Sequence, residues 1–118
     1  MKARAHTLFQ QTLLGDAAEH ARIGIMVWNE ERRYIAVNRC ACEILGTTRE
    51  ELLGAQVGDH NRTDEARAAI ETVLDELPAM GRTPLPNGTV VDWLTVASDV
   101  AGLPHIVGLM WEAVDPEN

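Results

Sequence analysis

Cys40 and Cys42 stand two residues apart in NRCACEILG, and Asp59 adjoins His60 in GDHNRT. A thiol can be a nucleophile, a redox centre or a metal ligand, and a carboxylate beside an imidazole can orient it toward a metal. Residues at i and i+2 on a helix point to nearly opposite sides, so the two cysteines cannot bridge each other. No second Cys or His pair stands at metal-ligand spacing. Asp-His-Asn ahead of a helix also reads as solvated loop and cap. His6, His20 and His105 are expected at the surface. Asp92 is a polar residue in an apolar strand, and alternation sets it on the opposite face from Trp93. There is no Ser-His-Asp order, paired-carboxylate pattern or phosphate-gripping glycine loop. No catalytic residue, metal site or enzyme activity is therefore expected, and both cysteines read as small, partly apolar helix residues.

The chain that must position these groups has 118 residues, 46% hydrophobic and 24% charged, which suits one soluble domain. A domain of this size buries roughly 65% of its unfolded surface and needs no staples. A net charge of −8 disfavours nucleic acid as a partner. The N-terminal stretch MKARAHTLFQQTLLG lacks the apolar run of a signal peptide or membrane span. Free thiols and the missing leader point to the cytoplasm.

The pattern predicts a helix over 2–21, broken at Gly15, with Phe9, Leu13 and Ala17 on one stripe. Strands 23–28 and 34–37 form an antiparallel hairpin across NEERR. A short helix over 39–45 ends at Gly46, and Thr48 with Glu51 forms a capping box for a second short helix that Gly54 ends. TDEARAAIETVLDELPAMG reads as the main amphipathic helix. Thr63 or Asp64 caps it, Ala66, Ile70, Val73, Leu74 and Leu77 form its stripe, and Pro78 and Gly81 close it. Pro84 and Pro86 mark an edge strand, Pro86-Asn87-Gly88 a hairpin turn, 89–98 a long strand, 99–104 a turn and 105–113 a last strand. The plan is α+β, with five antiparallel strands and the helices grouped in mid-chain.

IGIMVWNEERRYIAVN, with Asn38 where the second strand meets the first short helix, resembles the front half of a PAS domain, a small sensory module of bacterial signalling proteins. NRCACEILG is similar to the family's asparagine, small residue, aliphatic pair and glycine. TTREELLG looks like its second short helix, and LPNGTVVDWLTV like the turn into its fourth strand. The resemblance covers about residues 16 to 114. It implies a PAS-like five-stranded antiparallel sheet, with one main helix and several short helices on one face and an N-terminal helical cap. Residues 1–15 then form a cap and dimerisation segment, 16–114 the sensory domain and 115–118 a polar tail. The chain is read as a free-standing module or as a piece of a longer protein of a two-component system.

By the family pattern Val91, Trp93, Thr95 and Ala97, with Ile106, Gly108 and Met110, face the long helix. Gly108 removes a side chain over the sheet centre. A cavity there would draw its walls from Ile25, Val27, Ile70, Val73, Leu74, Trp93, Thr95, Ile106, Gly108 and Met110. A core that Trp93 fills is the rival. The opposite face carries Leu94, Val96, Leu109 and Trp111, too much apolar surface for water. Leu8, Phe9 and Leu13 of the N-terminal helix are the available lid, from the same chain or from a partner in a homodimer.

Photoactive family members carry a flavin-bonding cysteine just before the long helix, where GAQVGDHNR has none; Cys40 and Cys42 lie one helix too early. Haem-binding members take an axial histidine from the long helix or just after it, and 63–81 has none. No cofactor is expected, with a haem or flavin sensor as the alternative. The expected function is a sensory or regulatory module acting through homodimer association. It takes a small, largely apolar ligand or a partner protein and regulates an output domain or partner. A ligand-free dimerisation scaffold is the other alternative.

Overall fold

A computed structural model describes residues 2–57 and 64–114 of the chain. The expected cap at Thr63, the Asp59–His60 pair and the 115–118 tail lie outside the described residues, as do the side chains of His6 and Ala66.

Helix α1 (Lys2–His20) runs through Gly15 without the expected break. A glycine inside a helix costs only about 1 kcal/mol relative to alanine, and the eighteen flanking residues absorb that. Strands β1 (Gly24–Trp28) and β2 (Tyr34–Val37) pair antiparallel. The turn between them is held by Asn29, whose Oδ1 accepts from the backbone N–H groups of Glu31 and Arg33. Helix α2 (Arg39–Leu45) begins where the sequence places it, because the Asn38 side chain caps it by accepting from Ala41 N. It ends at Gly46, whose φ of 69° is cheap only without a Cβ. Thr48 caps α3 (Arg49–Leu52) by accepting from Glu51 N, while the Glu51 carboxylate accepts from the neighbouring Thr47 hydroxyl.

Helix α4 (Asp64–Asp75) stops earlier than its periodicity suggests, and β3 (Ala79–Pro84) starts three residues before Arg82. The residue before a proline is pushed out of the helical region. Pro78 therefore ends the helix before Leu77, and Gly81 belongs to the strand. Strands β4 (Val90–Val100) and β5 (Leu103–Glu112) are longer than expected. The turn between them shrinks from 99–104 to Ala101 and Gly102, both at positive φ (52° and 79°), the geometry of a two-residue hairpin.

The sheet is five-stranded and antiparallel, in the order β2-β1-β5-β4-β3, with β3 at an edge as its prolines require. Its core lies under the short helices. Ala41 and Ile44 of α2 and Leu52 of α3 are buried against Met26, Tyr34 and Met110. The expected main packing helix contributes no described side chain to this buried set. Helix α4 stands off the sheet, tied at its end by an ion pair between Arg32 and Asp75.

Asn38 joins the pieces. It is buried, its Oδ1 accepts from Ile25 N and Ala41 N, and its Nδ2 donates to the carbonyls of Ala18 and Ile23. Nearby, Arg49 reaches α1 with a two-oxygen contact to Glu19, which raises the pKa of its guanidinium. These contacts hold only the last turn of α1. Leu8, Phe9 and Leu13 are more than half exposed, so α1 is not the lid of the sheet within one chain.

Candidate functional site

The gap between α4 and the sheet is a cavity of about 630 Å3. Its floor is the inward face of β1, β4 and β5, where Met26, Trp28, Val91, Trp93 and Met110 project by strand alternation. Its roof is the apolar stripe of α4, with Ile70, Val73 and Leu74 half-buried over the gap. One side is walled by the end of α2 and the β3–β4 turn. There Asn87 Nδ2 donates to the Ile44 carbonyl at 3.0 Å and ties the turn to the helix. No charged side chain lines the cavity among the described residues.

Two tryptophans shape the floor, each lying over a glycine of the next strand. A Cβ built on Gly108 would meet the benzo edge of Trp28, with Cζ3 at 2.6 Å; one built on Gly81 would come within 2.7 Å of Trp93 Cζ2. Trp28 is 6% exposed and meets Tyr34 edge-to-face, with centroids 5.5 Å apart. Such pairs contribute about 0.5–1.5 kcal/mol beyond their area. Trp93 donates its indole N–H to Thr83 Oγ1 at 2.9 Å.

Ile70, Val73, Leu74, Trp93 and Met110 of the expected wall therefore come together. Thr95, Ile106 and Gly108 share that face of the sheet but stay off the wall, and Trp28 fills the space that Gly108 opens. Ile25 and Val27 point the other way, because Gly24, Met26 and Trp28 take the inward positions of β1. They complete two apolar rows on the outer face: Ile25, Leu109, Leu94 and Met80 across four strands, and Val27, Val107 and Val96 across three. The four expected interface residues of this face, Leu94, Val96, Leu109 and Trp111, are half-buried.

Trp28, Tyr34 and Asn87 were not singled out in the sequence. The signal for Trp28 was present: β1 and β5 form neighbouring strands, and a large residue two positions from the glycine's partner can cover it. Met26 pairs with Gly108, and Trp28 lies two residues on.

Cys40 and Cys42 are free and half-buried beside the core. Burial pushes both thiols up, with Glu43 adding to the effect at Cys40 and Arg49 partly opposing it at Cys42. A raised thiol pKa lowers the thiolate fraction, which argues against a nucleophilic role. No group of three or more His, Cys, Asp or Glu side chains is placed to hold a metal among the described residues. There too, no helix is long and apolar enough to cross a membrane.

The family model of the PAS fold matches residues 15–99. The chain belongs to the PAS family, whose members are sensory domains. Among solved structures it is similar to the PAS domain of an HTR-like protein from Haloarcula marismortui, at 17% identity and a TM-score of 0.71, over 96% of this chain and 100% of that one. The PAS domain of BvgS from Bordetella pertussis is similar at 17% identity and a TM-score of 0.71, over 92% and 89%. A domain of a sensory box sensor histidine kinase/response regulator from Geobacter sulfurreducens is similar at 24% identity and a TM-score of 0.65, over 90% and 96%. These likenesses concern the fold. No curated protein matches the chain.

Proposed function

We propose that the chain is a cytoplasmic sensory domain that takes a small, largely apolar ligand between α4 and the sheet and answers by changing how two copies associate. The observation that carries this is the cavity. It falls in the size range of small-molecule sites, and α4 roofs it without joining the buried core. A ligand burying roughly 350 Å2 of apolar surface would gain about 9 kcal/mol at ~25 cal/mol per Å2. Association costs of at least about 4 kcal/mol bring this to binding of roughly 0.1–1 mM or weaker. Ligand that draws α4 toward the sheet favours one arrangement over another, which is the differential affinity a sensor needs.

The dimer rests on the outer face. Two apolar rows on one sheet face, beside an α1 whose Leu8, Phe9 and Leu13 are exposed, suit a self-complementary contact between two copies. Light scattering on the full chain and on a chain without residues 1–15 tests this. A monomeric full chain removes the dimer, and an unchanged dimer after truncation removes α1 from it.

Isotope-edited NMR with a panel of small apolar compounds tests the ligand site, with shifts expected at Ile70, Leu74 and Trp93. An absorption spectrum of freshly purified protein is expected to be colourless. A Soret or flavin band would replace this reading by that of a cofactor sensor, and a panel without a binder would favour the ligand-free scaffold.

A further inference from the structure

The cavity wall holds few polar side chains, and the protein uses most of them on itself. Among the described residues, the Thr47 hydroxyl donates to Glu51, and Asn87 bridges the Ile44 carbonyl and Thr89 N. Trp28 Nε1 has no hydrogen-bond partner there, but it is closed to solvent and out of a ligand's reach. Pro84 and Pro86 bring no backbone N–H to the wall. Thr83 is different. It pairs with Val91, a buried residue of the floor, so its side chain stands on the cavity side of the edge strand β3. Its Oγ1 accepts from Trp93 Nε1 at 2.9 Å, and nothing among the described residues accepts its proton.

We propose that Thr83 determines the specificity of the cavity, its hydroxyl donating to a carbonyl-type acceptor on a neutral molecule whose apolar body covers Trp93. The inference rests on the ligand-site reading above and narrows it. The acceptor follows from the unmatched proton, since a hydroxyl whose oxygen already accepts a bond is polarised toward donating its own. The place follows from Trp93. That ring lies over Gly81, and its N–H, in the ring plane, meets Thr83 along the floor. The hydroxyl is thereby held beside the indole. Both residues are open to a ligand, Thr83 being exposed and Trp93 half-buried. Neutrality follows from the wall, where no charged side chain lies among the described residues; a carboxylate would enter without a counter-charge. A ligand hydroxyl fits less well, because it brings a donor of its own.

The test uses two probes of nearly equal shape, acetophenone and α-methylstyrene, which differ in a carbonyl oxygen against a methylene. Binding to the full chain is read from the methyls of Ile70 and Leu74, and the bond from the infrared carbonyl stretch of 13C-labelled acetophenone. Thr83→Val should shift the ratio of the two affinities about fivefold toward α-methylstyrene, the effect of one hydrogen bond, and Thr83→Ser should restore it. The stretch of the bound probe should lie lower in the unsubstituted chain and in Thr83→Ser than in Thr83→Val. The Trp93 N–H does not replace the lost donor, because it points along the floor at residue 83 and not into the cavity. If both probes shift the methyls while Thr83→Val leaves the ratio and the stretch unchanged, Thr83 is not the donor and the cavity reading survives. If neither probe shifts the methyls, the cavity reading falls and this inference with it. Should Thr83→Val fail to fold, Thr83→Ala takes its place with the same expected outcomes.

Discussion

Trp28 and Trp93 lie on the sheet in the same way and meet opposite fates. Each spreads over a glycine on the neighbouring strand, Gly108 for Trp28 and Gly81 for Trp93. Trp28 does so between β1 and β5, well inside the sheet, whereas Trp93 does so between β4 and the edge strand β3. The inner ring is locked and its N–H goes unmatched; the outer ring is half-buried and its N–H finds Thr83. Depth within the sheet, more than local chemistry, decides which indole is free to satisfy itself.

The sharpest way to break this comparison is to put the same methyl group under each ring. Gly108→Ala drives a Cβ into a ring with nowhere to go, and overpacking should cost about 3 kcal/mol in urea unfolding. A loss below about 1 kcal/mol would mean that Trp28 swings aside and is not locked. Gly81→Ala makes a similar clash beneath a ring that can lift toward solvent, so about 1 kcal/mol is expected, with a red shift of tryptophan emission. Equal losses at the two sites would erase the distinction.

Trp93→Phe asks how much the outer N–H contributes. Loss of the bond to Thr83 should cost about 0.5–1 kcal/mol, read from the urea midpoint.

The smallest effect concerns the edge strand that Trp93 covers. Next to the Gly81–Trp93 pair, Arg82 grips Asp92 through two hydrogen bonds and holds the Asp92 carboxyl below its ordinary range, the hydrogen bond being the larger cause. A depressed folded-state pKa adds stability that is present above the unfolded carboxylate range and is lost as pH falls through the folded value. Asp92→Asn should therefore flatten stability against pH only on the acid side. The pair is solvent-exposed, so the change is small. An unaltered acid limb would remove the pair from the account of the edge.

These contrasts mark what the sequence reveals. Helix α2 can be placed to the residue because both its ends are written locally, in the Asn38 side chain and in the positive φ of Gly46. Strand parity along β4 and β5 gives the inward set that reaches the cavity floor, Trp93 and Met110 included. The end of α4 is less legible, since periodicity carries the apolar stripe to Leu77 while Pro78 ends the helix early. Gly81 and Gly108 mislead for one reason. A missing side chain looks like a helix stop or an empty space until strand register shows which ring lies on it. The orphaned N–H of Trp28 was beyond reach, because being unpartnered is a property of surroundings.

Asn38 has a consequence for cutting and splicing. One side chain stitches the last turn of α1 to β1 and α2, and Glu19 adds a second stitch to Arg49. The seam between the helix and the sensory body thus lies at residues 18–19, short of the helix end at His20. A chimera joined upstream of Ala18 should carry the whole body intact beneath any foreign helix that continues the turn. One joined after His20 keeps a main-chain carbonyl for Asn38 Nδ2 only where the foreign helix continues the turn, and it loses the Glu19 carboxylate that holds Arg49. The graftable unit is a domain with its own last turn of helix, a socket that accepts different shafts.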